Sequence, residues 1–93
     1  MKEKITESSG NVFVDLGFSP EESALLSMRA KLMAKLREAI IQNGWTQVEA
    51  ASVFRISQSR VSDLVRGKYE KFSLDMLISL NTRAGKKVSL EIA

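Results

Sequence analysis

The side chains of this sequence best equipped for chemistry are amides, hydroxyls and guanidiniums, crowded into one short stretch. Gln58, Ser59, Arg60 and Ser62 stand together, Gln47, Arg55 and Ser57 precede them, and Arg66, Lys68 and Tyr69 follow. Such groups exchange hydrogen bonds and carry positive charge, but they do not break covalent bonds unaided. Histidine and cysteine are both absent. That removes the commonest general base, the commonest transition-metal ligand, the thiolate nucleophile and any disulfide. The 11 acids are scattered and form no paired-carboxylate motif. The sequence therefore implies no enzyme, no metal and no cofactor. Its chemistry is that of recognition.

Charge indicates what is recognised. The net charge of +3 is mild, but residues 1–22 hold two Lys and five acids, giving −3, while residues 23–93 hold twelve Lys/Arg and six acids, giving +6. A basic folded part suits an anionic partner such as nucleic acid, although a solvated surface would have the same composition. No apolar run approaches the ~20 residues that span a bilayer, and the first ten residues lack the apolar stretch of a secretory signal. A cytoplasmic protein, nucleoid-associated when bound to DNA, is expected.

The elements that must position these residues are marked by caps. Residues 1–11 are polar and read as a flexible tail. Val12 to Phe18 is short, apolar and β-leaning. Ser19-Pro20-Glu21-Glu22 opens a helix by capping box and N1 proline, and Gly44 closes it. Leu25, Met28, Leu32, Leu36 and Ile40 give that helix an apolar stripe, widened by Leu26, Met33 and Ile41, with Arg29, Lys35 and Arg37 on its outer face. It is long for a chain of this size, so its first half is expected to reach beyond the core. There, Leu25, Leu26 and Met28 offer a dimer or partner surface.

Thr46 to Glu49 forms a second capping box. Ser57 caps a third helix that Gly67 ends, and Ser73 caps a fourth that runs to Gly85 with Leu74, Met76, Leu77, Ile78 and Leu80 inward. Trp45 is expected to pack under the junction of the first two helices. Residues 12–85 thus read as one domain. In residues 86–93, Val88, Leu90 and Ile92 alternate with polar neighbours as a strand would. A lone strand needs a partner, either the Val12–Leu16 segment or the same strand of a second copy. Lys86 and Lys87 fit a charged strand edge.

Two short capped helices meeting at Phe54-Arg55-Ile56 make a helix-turn-helix, with Val48, Ala51, Ile56, Val61 and Leu64 inward and Gln58, Ser59, Ser62, Asp63 and Arg66 outward. The segment TQVEAASVFRISQSRVSDLVRG resembles the phage-repressor-like (Xre/Cro) helix-turn-helix class. VFVDLGFSPEES, SQSRVSDLVRGKYEKFSLDML and RAGKKVSLEI resemble its HigA-like antitoxin subgroup. The resemblance implies a mainly α, lambda-repressor-like fold of four to five helices, with the C-terminal β-strand pairing in a homodimer. It also implies a repressor of its own operon that binds double-stranded operator DNA and neutralises a RelE/HigB-like toxin. A free-standing regulator without a toxin shares the scaffold, and so would a protein-interaction adaptor.

On chemistry and family pattern together, Gln58, Ser59, Arg60 and Ser62 would read bases, with Arg60 open to guanine or phosphate. Gln47, Arg55, Ser57, Arg66, Lys68 and Tyr69 would hold phosphates. The family favours glycine where Arg55 stands, because that position tends to be left-handed.

Overall fold

The computed structural model describes residues 12–93. The segment 1–11, expected as a tail, lies outside them. Five α-helices follow in order: α1 (Val12–Asp15), α2 (Pro20–Asn43), α3 (Gln47–Phe54), α4 (Gln58–Val65) and α5 (Leu74–Arg83), with a 3-10 turn at Tyr69–Lys71 between α4 and α5.

Local chemistry sets the boundaries. The Ser19 hydroxyl accepts from the Glu22 N–H, and the Glu22 carboxylate accepts from the Ser19 N–H. Thr46 and Glu49 repeat the exchange at α3. Ser57 and Ser73 cap α4 and α5 by accepting from the Arg60 and Met76 N–H groups. The Ser73 hydroxyl and nearby backbone N–H groups also hold the Asp75 carboxyl below its ordinary pKa. Gly67, at φ 76°, lets the Lys68 N–H reach the Asp63 carbonyl and its own N–H the Leu64 carbonyl, which satisfies the orphan acceptors at the end of α4.

The apolar stripes converge on one core of Met33, Leu36, Ala50, Phe54, Val61, Leu64, Phe72, Leu77 and Leu80. Trp45 packs edge-on to Phe54 at the α2–α3 junction. Asn81 is buried, and its amide donates to the Leu77 carbonyl at 2.9 Å and to the Leu32 carbonyl at 3.4 Å, tying α5 to α2.

Several expectations need correction. The β-leaning Val12–Phe18 segment opens as a helical turn. Gly17, at φ 95°, closes α1 by turning the Phe18 N–H back to the Phe13 carbonyl, which brings the two rings edge to face. Phe13 also packs edge-on to Tyr69. These aromatic contacts outweigh the β-propensity of Val12 and Val14.

Among the described residues there is no strand, and 86–93 has no regular secondary structure. With Val12–Asp15 helical, the described residues offer Val88–Ile92 no edge on which to pair. Ile41 (78% exposed) and Val48 (62%) lie outside the core, and Ile78 is also exposed. The fully buried small residue of α3 is Ala50, with Ala51 half-buried beside the core. Phe72 fills the core without having been singled out in the sequence.

No helix among the described residues is long and apolar enough to cross a membrane.

Candidate nucleic-acid interface

α3 and α4 each bury one side. Ala50 and Phe54 of α3 and Val61 and Leu64 of α4 enter the core. The other side of α4 is thereby left to solvent at its first turn. Gln58 and Ser59 are exposed, and Ser62, one turn on, is half-buried. Among the described residues nothing engages the Gln58 amide, which stands exposed at the first helical position. The Ser57 hydroxyl serves the Arg60 N–H and lies 3.2 Å from the Ser59 hydroxyl. These polar groups therefore sit over the positive end of a helix dipole, where backbone N–H groups and side chains both favour anions.

The turn before α4 takes the strained form. Arg55 has φ 59° and ψ 46°, the one left-handed non-glycine among the described residues, and its side chain is exposed. The Ile56 N–H then reaches the Ala51 carbonyl. Behind the turn, Arg83 of α5 donates from Nη1 to the Phe54 carbonyl at 2.7 Å. Neither the sequence pattern nor the resemblance gave Arg83 a role. Its partner lies 29 positions away, and no local signal announces such a bond.

Arg60 does not extend from the outer face. Its guanidinium lies 4.7 Å from the centre of the Phe72 ring, and Nη2 donates to the Lys71 carbonyl at 3.2 Å. Cation–π attraction and the hydrogen bond together hold it against the segment that follows the 3-10 turn. Its Nε is shielded from solvent with no acceptor among the described residues.

The other basic residues remain peripheral. Arg66 caps the end of α4 and is exposed, as is Lys71, while Lys68 and Tyr69 are half-buried, the latter on Phe13. Gln47 is exposed at the first position of α3. Thus Gln58, Ser59 and Ser62 come together with Arg55, Ser57 and Arg66 around α4, and Arg60 joins the loop behind them. Leu25, Leu26 and Met28 lie apart on α2, and Val88, Leu90 and Ile92 on the C-terminal segment.

No group of three or more acids among the described residues is placed to hold a metal ion.

A family model described as a helix-turn-helix domain matches residues 12–93. The chain belongs to that helix-turn-helix family. The match spans every element above, and α3 and α4 are two short capped helices joined by a tight turn, embedded in the bundle that α2 and α5 complete. Membership places the helix-turn-helix domain among DNA-binding modules. No curated protein matches it.

Proposed function

We propose that the chain is a sequence-specific regulator that binds a palindromic operator in double-stranded DNA as a homodimer and acts as a repressor. The carrying observation is the outward face of α4. It is a capped, exposed helix start bearing an amide and hydroxyls, seated on a buried apolar face and flanked by basic residues. In this reading Gln58 pairs with adenine through its amide, and Ser59 and Ser62 contact neighbouring bases. Gln47, Arg55, Ser57, Arg66, Lys68 and Tyr69 hold phosphates on either side. Arg60 would have to leave both Phe72 and Lys71 to reach a guanine. It serves instead to fix Lys68 to Lys71 at the height of the backbone.

A mobility-shift titration on the upstream palindrome and its single-base variants tests this. Gln58→Ala should lose about 1–3 kcal/mol of discrimination at one A·T pair and leave the others intact. Arg60→Ala should weaken all variants alike. Arg66→Ala should lower the salt slope by about 1. Unchanged discrimination in Gln58→Ala removes α4 as the reading helix.

The apolar residues left open on α1, Val12 and Val14, also support an antitoxin role for the chain, through a RelE/HigB-like toxin seated there. Co-expression with the product of a neighbouring basic reading frame tests it. A growth arrest that this chain fails to relieve would set that reading aside and leave the DNA-binding one standing.

A further inference from the structure

The apolar stripe of α2 does not stop where the core stops. Leu25, Leu32 and Leu36 share one line of the helix, and Leu26 and Met33 share the next. Over the second half the stripe is covered, with Met33 and Leu36 buried and Leu32 and Ile40 packed beside them. Over the first half it is open. Leu25 and Met28 are each 45% exposed, and Phe18, Glu22, Leu25, Leu26 and Arg29 line a groove of about 230 Å³. Val12 and Val14 of α1, which packs against α2, and Leu16 just after it are exposed as well. Arg29 Nε is shielded there and meets no acceptor among the described residues.

We propose that this groove is the dimer interface, occupied by the same groove of a second copy. The two α2 helices would cross antiparallel about a twofold axis between Leu25 and Leu26. The lining residues on α2 are self-complementary under that operation. Glu22 stands three positions before Leu25, and Arg29 three positions after Leu26. Reversal therefore sets Leu25 against the partner's Leu26 and Glu22 against the partner's Arg29, each pair made twice. The acid and the base lie two turns, about 10.5 Å, apart on one helix, so they flank the leucines without clashing. An isologous contact of this kind uses one patch on both protomers, needs no second surface and closes at two copies. Segment 1–11 is a poor alternative occupant, since Met1 and Ile5 are its only large apolar residues.

This inference rests on the proposed homodimer, and its test needs no DNA. Sedimentation equilibrium of the full chain should show a dimer. Glu22→Arg brings two arginines together at each end of the interface, and Arg29→Glu brings two glutamates. Each should weaken dimerisation about tenfold or more. Mixed one to one, the two variants should recover a heterodimer, because each then meets its opposite charge. The double variant Glu22→Arg, Arg29→Glu should dimerise again by itself.

Glu22 belongs to the capping box, so helix content and melting are followed by circular dichroism. Recovery on mixing is a result that a damaged cap would not give. Two single variants that dimerise as tightly as the wild type, or a dimer lost only when residues 88–93 are removed, would overturn the proposal. So would a monomeric wild type, whose DNA binding, measured separately by mobility shift, would still decide the regulatory reading on its own.

Discussion

Arg55 carries a cost that a glycine would not. Its φ of 59° sets Cβ close to the following carbonyl oxygen, which is unfavourable by about 1–2 kcal/mol for an L-residue. A side chain kept there at that cost is in keeping with a role outside the turn, and its exposure beside α4 suits a phosphate contact. Arg55→Gly separates the two effects. The variant should be more stable by about 1 kcal/mol, since the unfolded-state entropy of glycine takes back part of the relief. Its melting midpoint should rise by about 4–8 °C. Operator affinity should nevertheless fall, and the salt slope should shrink by about 1. Calorimetry and salt-dependent mobility shifts read the two arms. A midpoint that stays put would mean the turn carries no strain to relieve. Arg60 teaches a related lesson about reading single residues. Its position on α4 made it a candidate for guanine, yet Phe72 lies 12 positions on, and only the folded chain brings ring and guanidinium together.

Helix α3 ends on a bond from outside itself. The Phe54 carbonyl is one of the acceptors left without an intrahelical partner, and Arg83 supplies a charged donor to it. Because the next residue is the left-handed Arg55, this bond fixes the direction in which the chain enters α4. Arg83→Met keeps the length of the side chain and removes the donor. It should cost about 1–3 kcal/mol in urea unfolding, as expected for losing a charge-assisted bond. Amide resonances of Ile56 and Ser57 should move while those of Asn81 stay. A variant that binds the operator with a lower salt slope but unfolds like the wild type would instead make Arg83 a phosphate contact.

The helices themselves were legible in the sequence, because caps are local chemistry. Ser19 with Glu22, Thr46 with Glu49, Ser57, Ser73, Gly44 and Gly67 each act within a few residues of where they stand. Elements whose form depends on distant contacts were not. α1 looks like strand until Tyr69 is placed against Phe13, and the 3-10 turn has no period to detect. Residues 86–93 keep the alternation of a strand without an edge among the described residues to realise it. Apolar type alone also misplaced Ile41 and Val48, which face outward although Ile40 and Ala50, one and two positions away, pack inward.

At the scale of the molecule, one α4 is too short to specify an operator. Its 8 residues span about 12 Å, room for a few base edges in one major groove. Two copies double the site if their helices enter successive major grooves about 34 Å apart on the same face of the duplex. The longest dimension of the protomer is 37 Å, comparable to that spacing, so two joined copies are large enough to meet it. Inserting about 5 base pairs between the half-sites turns the second away by roughly half a revolution, since B-DNA repeats every 10–10.5 base pairs. Affinity should fall to that of an isolated half-site. Inserting about 10 restores the face but adds about 34 Å, a separation that a rigid dimer with its reading helices one turn apart does not match, so affinity should stay low. Binding that recovers with the longer insertion would require a flexible link between reading heads, and binding indifferent to both would mean that each protomer reads its half-site alone.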